Sequence, residues 1–281
     1  MKNPKISVIM STYKEPESYL RKSIESILNQ TFRDFEFIII LDDPNNKKHE
    51  RIIKEYVKKD KRVIFFKNER NLGRGASKNK AIYFAKGKYI AIMDADDIAL
   101  PERLEKQFNF LEENEDVDLL FTWAYWIDEK DNIIKRFTPE RYKVKNIEKY
   151  FFKEHLFMHP SMMAKAEVLK KMKYNKYLLS SEDYDFWIRC ILNNYKFDIL
   201  EEYLLKYRFP KGKIEDRIKK HKEHSKYDLL ILWNYRKYFY KNIYFWKRFF
   251  NCLFFFTFFT ILPQSIIKLL IKMKDKNRWQ S

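Results

Sequence analysis

Tyr89-Ile90-Ala91-Ile92-Met93-Asp94-Ala95-Asp96-Asp97 is the stretch on which the fold turns. Five apolar residues make a run of strand length, three carboxylates end it, and Pro101-Glu102-Arg103 then opens a helix. Like charges crowded at the carboxyl end of a buried strand repel one another, and a divalent cation holding a phosphate commonly relieves them. A tight turn followed by a helix start would use the same residue types.

Outward from this run, the chain alternates between strand and helix patterns. Ile6–Met10, Phe35–Leu41, Val63–Phe66 and Lys88–Met93 read as strands. Between them, Tyr19, Leu20, Ser23, Ile24, Ile27 and Leu28 recur at helical spacing, as do residues within Glu50–Val57 and Ala76–Ala85. The alternation predicts an α/β fold whose mostly parallel sheet is flanked by helices and binds ligands at the carboxyl ends of its strands. Asp42-Asp43 ends the second strand at that same edge. Further on, Leu119–Trp126 reads as a strand, Glu129–Asn132 as a hairpin turn, Glu182–Leu192 as a helix capped by Ser180 or Ser181, and Phe197–Tyr207 as a closing strand pair. The pattern is helical from about Ile214, interrupted at Pro263, so the expected domains are 1–212 and a helical extension, 213–281.

Composition narrows the partners. Only four glycines occur in 281 residues, so no glycine-rich loop can cradle phosphate, and basic side chains or metal must do so. Cys190 and Cys252 lack metal-ligand spacing, and Met1–Pro4 leads straight into a strand without a signal-peptide core, so a cytoplasmic protein is expected. Of the net charge of +18, +14 falls in residues 203–281, where 19 Lys and Arg face 5 Asp and Glu. Trp233–Phe259 carries 15 aromatic residues in 27 positions. The run Phe254-Phe255-Phe256 with Phe258-Phe259 suits lipid better than nucleic acid. Its uninterrupted apolar length, Phe249–Leu262, is 14 residues, whereas spanning a bilayer takes about 20. In-plane helices on the anionic inner face of the plasma membrane are therefore expected, with a second patch at Ile266–Ile271; a re-entrant hairpin or a cap on the main domain would use the same pattern. Asp275-Lys276-Asn277-Arg278-Trp279 is read as a chance match to a processive-synthase motif.

In motif order, residues 4–209 resemble bacterial family 2 glycosyltransferases of the inverting GT-A type. The resemblance rests on Ile6–Tyr13, Ser26–Phe32 followed by Phe35–Asp43, Asn71-Leu72-Gly73 with Ser77-Lys78-Asn79, Asp94–Asp97, His159-Pro160-Ser161, and Ser181–Trp187. Three departures stand out. Pro44-Asn45 follows the Asp pair where the family often has Gly-Ser, Lys78 replaces an arginine and loses its bidentate fork, and Pro210 replaces a histidine that many members use on metal.

The resemblance implies a metal-dependent hexosyl- or N-acetylhexosaminyltransferase moving one sugar from a UDP-sugar to a hydroxyl of a lipopolysaccharide, O-antigen or capsule glycan, and the membrane-suited tail adds the expectation that this acceptor is lipid-linked. Mn²⁺ or Mg²⁺ is implied on Asp96, Asp94 and Asp97. Ser11, Thr12, Tyr13, Glu15, Asp42, Asp43, Lys78, Asp94, Ala95 and Asp96 are the implied nucleotide-sugar contacts, with Asp43 on the uracil N3–H and Asp42 near the ribose. Lys78 and Arg74 are expected to set positive charge against the diphosphate or else to be solvated helix charges, Arg74 more than Lys78. Asp183 is the implied base, its proton affinity raised by Glu182, while His159, Trp187 and Arg208 are assigned to acceptor or diphosphate. Helix-start carboxylates, a core tryptophan and a hydrogen-bonded structural histidine are the plainer alternatives. A catalytically inactive glycan- or membrane-binding module on the same fold is the other function considered.

Overall fold

The strands β1 (Ile6–Thr12) and β2 (Phe35–Leu41) are buried along almost their whole length, because both faces of their sheet are covered by helices. Their partners are parallel: β3 (Val63–Lys67) pairs with β2, and β4 (Tyr89–Asp94) pairs with β1. The crossovers are α1 (Glu17–Leu28), α2 (Lys47–Lys59) and α3 (Arg74–Phe84). Each buries one stripe, as in α1, where Leu20, Ser23, Ile24 and Ile27 face inward. The computed structural model describes residues 3–209 and 214–262. The expected interruption at Pro263, the Ile266–Ile271 patch, the Asp275–Trp279 segment and the 212/213 boundary lie outside the described residues.

After β4 the chain leaves the middle of the sheet. The two-residue β5 (Ile98–Ala99) lies at the far edge, antiparallel to the end of β9 (Phe197–Arg208), with Ile98 opposite Lys206. Between them in sequence come α4 (Arg103–Glu113), the hairpin β6 (Leu119–Ile127) and β7 (Ile133–Phe137), short helices α5 (Arg141–Lys145) and α6 (Ile147–Tyr150), β8 (Met163–Lys165), α7 (Ala166–Met172) and α8 (Glu182–Leu192). The strand order is β3-β2-β1-β4-β8-β6-β9-β5, with β7 on β6. The first half is parallel, and β8, β5 and β7 join antiparallel, so the sheet is mixed. Phe197–Tyr207, expected as a strand pair, is one continuous strand whose charged Glu201-Glu202 step is absorbed by register shifts against β6.

The amino-terminal edge is closed by one polar knot. Buried Glu36 accepts from Ser7 Oγ (2.6 Å) and Lys86 N (2.6 Å), and Ser7 Oγ accepts from Gly87 N (2.8 Å). This edge holds the strands in register, while their opposite ends stay open.

The chain divides into two compact units, residues 1–209 and 210–281. In the second, α9 (Ile214–Tyr235) and α10 (Ile243–Ile261) form an antiparallel pair, with His221 against Phe259 and Trp233 against Phe249. Asn242 caps α10 by accepting from Tyr244 N and Phe245 N. Ile231, Leu232 and Phe245 are buried, whereas Leu230, Trp233, Phe250, Phe254, Phe255 and Ile261 are exposed. Among the described residues no helix is long and apolar enough to cross a membrane.

A Cβ added at Gly87 would meet Ser7 N at 2.5 Å and Ile6 C at 2.7 Å, both backbone atoms that cannot swing aside. Gly87→Ala is expected to cost about 2–3 kcal/mol, read as a lower urea midpoint at unchanged m-value.

Candidate active site

Parallel register places Ser11 beside Asp94, so the ends of β1, β2 and β4 open on one edge. Just beyond β1 the chain turns around the Glu15 carboxylate, which accepts from Thr12 Oγ1 (2.7 Å) and Tyr13 N (2.8 Å). His49 braces the same turn through Thr12 Oγ1 (3.0 Å) and Glu15 O (2.8 Å). Thr12 and Glu15, expected on the nucleotide, thus shape the loop that presents Tyr13. The Tyr13 ring is 37% exposed, with the Lys14 ammonium 4.6 Å from its centroid. Sequence reasoning gave His49 no role, although it stands three and four residues before buried Ile52 and Ile53 on the same helix face.

Asp42 differs from its expected place near a ribose. It is buried, and its oxygens accept from Asn68 Nδ2 (2.8 Å), Leu72 N (2.8 Å) and Gly73 N (2.9 Å). These three donors engage both oxygens and pin the loop that enters α3, where Gly73 has φ +85°. Asp43 is half-buried; its Oδ1 takes Asn45 N at 3.0 Å in a local turn. Asp42 therefore aims Arg74 and Lys78, one turn apart on α3, at the next group.

That group is a set of carboxylates sharing two cations. Lys78 Nζ lies 3.0 Å from Glu182 Oε1, and both side chains are buried. Burial pulls the Lys78 ammonium down, but Glu182, Asp94 and Asp183 outweigh it and hold its pKa above the ordinary value. Arg74 is exposed, as a solvated helix charge would be, and it also feels the carboxylates of this group. Although its side chain reaches solvent, Glu182, Asp94, Asp183 and Asp96 all act on it and raise its pKa against desolvation. Burial pushes the Glu182 carboxyl up, yet Lys78 and Arg74 bring it below the ordinary value, so it is a counter-ion to Lys78. Asp183 is half-buried and accepts from Tyr184 N at 2.8 Å. It follows Ser181, whose φ of +58° is strained for a residue with a Cβ.

Burial, Asp94 and Glu15 push the Asp96 carboxyl up to about 6. Asp97 does not share that half-buried position. It is fully buried, its Oδ1 accepts from Arg208 N (2.7 Å), and burial with Asp96 and Asp94 raises its pKa well above the usual range. Its place as a metal ligand is therefore corrected to that of an inward-facing support for the loop. Behind it lies buried Arg103, whose guanidinium burial pulls down to about 10 while donating to Ile92 O (2.9 Å). Ala95 is buried, and Asp97 N closes the turn on Asp94 O. Among the described residues no three His, Cys, Asp or Glu side chains converge as a metal cage.

Three expected substrate contacts are internal. Arg208 is buried, and its Nε, Nη1 and Nη2 donate to Asp96 O (2.8 Å), Asp128 O (2.7 Å) and Asp131 Oδ1 (2.5 Å), which directs the guanidinium to protein acceptors and not to diphosphate. Trp187 is core, packed edge-on against Phe121 and Phe157, and does not offer the acceptor a flat face. His159 is buried and hydrogen-bonded through Nε2 to Tyr174 Oη (2.8 Å); burial, Lys78 and Arg74 hold its pKa well below 6.5. Tyr174 in turn sits under Lys78, 5.4 Å from ring centroid to Nζ. The structure thus brings Asp94, Asp96, Asp183, Arg74 and Lys78 together, with Ser11 alongside, and leaves Tyr13 and Asp43 on the β1–β2 tips.

Residues 7–173 match the glycosyl transferase family 2 model, and the chain belongs to that family. An uncharacterized glycosyltransferase of Methanocaldococcus jannaschii is 62% identical over 277 residues, covering 98% of this chain and 96% of the relative. The O-antigen biosynthesis glycosyltransferase WbnJ of Escherichia coli is 38% identical over 208 residues, 72% of this chain and 79% of WbnJ. Among solved structures, S. aureus TarS 1–349 in complex with UDP-GlcNAc superposes with a TM-score of 0.62 at 18% identity, over 98% of this chain and 89% of that one. The chain spans 40% of the longer TarS structure. The protein is a glycosyltransferase with the GT-A fold.

In the unfolded chain His159 takes up a proton that the folded chain refuses, so its contribution to stability is complete above pH 6.5 and declines below it. His159→Gln is expected to flatten the acid slope of stability by up to about 1.4 kcal/mol per pH unit. Urea melts at several pH values read the slope, and equal slopes in both proteins would contradict a neutral buried histidine.

Proposed function

We propose that this glycosyltransferase moves one sugar, with inversion, from a UDP-sugar to a hydroxyl of a surface glycan carried on lipid. The single observation behind this reading is that the buried Lys78–Glu182 ion pair (3.0 Å) holds the start of the helix that carries Asp183 against α3, although the two residues lie 104 apart in the chain. Support for the donor comes from TarS, crystallised with UDP and with UDP-GlcNAc, and for the acceptor from WbnJ, named for O-antigen biosynthesis.

In the proposed reaction Asp183 takes the proton of the acceptor hydroxyl as its oxygen bonds to the anomeric carbon. The bond from that carbon to the β-phosphate oxygen breaks, and Arg74 and Lys78 face the charge that develops on the departing diphosphate. Lys78 keeps two of its three donors beyond the one given to Glu182. The half-exposed Tyr13 ring offers a stacking face for the base, and Asp43 retains an oxygen for the uracil N3–H. Asp94 and Asp96 fit a divalent cation: burial, and after it Asp94 and Glu15, push the Asp96 carboxyl up to about 6, and two neighbouring carboxylates would suit a hard cation with oxygen ligands. Bound there, Mn²⁺ or Mg²⁺ would supply Lewis-acid neutralisation of the diphosphate.

The second unit supports membrane-surface attachment in the cytoplasm. Exposed Phe250, Phe254 and Phe255 on α10 form an apolar face, and the carboxyl-terminal region carries most of the net charge. Apolar insertion combined with attraction to anionic headgroups suits an in-plane helix.

Titration calorimetry with UDP is expected to show binding that strengthens at least about tenfold with Mn²⁺, and Asp183→Asn is expected to retain it. Transfer by Asp183→Asn should fall by about 10²–10⁴. Lost UDP affinity in that variant would make Asp183 a donor-binding residue. In flotation assays the full chain should bind vesicles containing anionic lipid, and the double change Phe254→Glu with Phe255→Glu should abolish binding while sparing transfer to a soluble acceptor.

A further inference from the structure

The hairpin joining β6 to β7 has no expected part in the chemistry, yet its tip is tied to the aspartate loop by a chain of charge-assisted bonds. Arg208 is the link. Its main-chain N–H donates to Asp97 Oδ1 (2.7 Å) and its Nε to Asp96 O (2.8 Å), so one residue grips both halves of the Asp96-Asp97 step. The rest of its guanidinium points away from that loop, to Asp128 O (2.7 Å) and Asp131 Oδ1 (2.5 Å) on the hairpin. Its carbon lies 3.9 Å from the centroid of the Tyr19 ring, which fixes the plane of the fork.

Asp131 closes the circuit. Its Oδ2 accepts from Lys22 on α1, and its backbone has φ +69°, a left-handed conformation that aspartate tolerates in tight turns. Lys22 and Tyr19 lie on the first turns of α1, and Ser23 on the same helix donates to Asp94 O at 2.8 Å. The aspartate loop is therefore held from two sides, by α1 at Asp94 and by Arg208 at Asp96 and Asp97, and Asp131 is bonded to both supports.

We propose that Asp131 is a positioning residue for the donor site: it holds the Arg208 fork so that the Asp94–Asp97 loop keeps the geometry needed to bind a nucleoside diphosphate. It touches no substrate itself. The assignment rests on the donor-site reading above, and it concerns a hairpin residue that a sequence reading takes for a turn former. Asp131→Ala leaves the Arg208 fork without its carboxylate and removes the Lys22 tie, while Tyr19 Oη still donates to Glu129 O at the tip (3.4 Å). Lys22→Met removes only the Lys22 tie and leaves the bond to Arg208.

Two measurements on the full chain test this. Hydrogen exchange without ligand should be faster by about tenfold or more at the amides of 96–98 in Asp131→Ala, and near wild type in Lys22→Met. UDP titration with Mn²⁺ should show about tenfold weaker binding for Asp131→Ala, with KM for the donor raised to match, while kcat at saturating donor and KM for the acceptor stay within about twofold. Unchanged exchange in Asp131→Ala overturns the brace, and so does a parallel fall of kcat, both KM effects and melting temperature, which marks general destabilisation. Accelerated exchange in a protein whose wild type binds no UDP would leave the brace standing and overturn the donor reading instead.

Discussion

Four carboxylates, Asp94, Asp96, Glu182 and Asp183, act together on the two cations of α3, and the rest of the catalytic unit is arranged around that balance. Desolvation would make either set untenable alone. Lys78 stays charged in a buried place because Glu182 lies 3.0 Å away, and Glu182 stays ionised because Lys78 and Arg74 are there. At Asp96 burial, and after it Asp94 and Glu15, outweigh Arg74 and raise the proton affinity of the carboxyl.

The sheet supplies the distances. Register between β1 and β4 puts Ser11 against Asp94, and the excursion of β5 to β9 carries the Asp96-Asp97 step over Arg208. The polar knot of Ser7, Glu36 and Gly87 closes the other edge. Beneath the functional carboxylates lies a second tier of groups that touch each other and not the opening: Asp42 on the α3 loop, His159 on Tyr174, and Arg103 behind Asp97. Several of the residues that resemble family motifs belong to this lower tier, which explains why a motif is legible while the work of each member is not.

Periodicity was enough to place β2 and α8 at their observed bounds, because a seven-residue run apolar except for Glu36 and an acidic-led amphipathic stretch admit few other structures. It failed at β9, where Glu201-Glu202 looks like a turn. There Arg141 N donates to Glu201 and Lys106 pairs with Glu202, so partners from elsewhere keep the strand continuous. Trp187 shows the same limit: spacing put it one turn from Asp183, but only the surrounding Phe121 and Phe157 show that it is core.

By itself the sequence determined the α/β alternation, the carboxylates at the strand ends and the basic, aromatic carboxyl-terminal region, since these depend on residues close together in the chain. Tertiary structure decided which carboxylate does what. Asp42 became a loop anchor, Asp97 an internal support and Glu182 a counter-ion because their partners, Gly73, Arg208 and Lys78, lie 31, 111 and 104 residues away. A carboxylate's charge state and duty are set by the field and the donors around it, and local spacing carries no record of either.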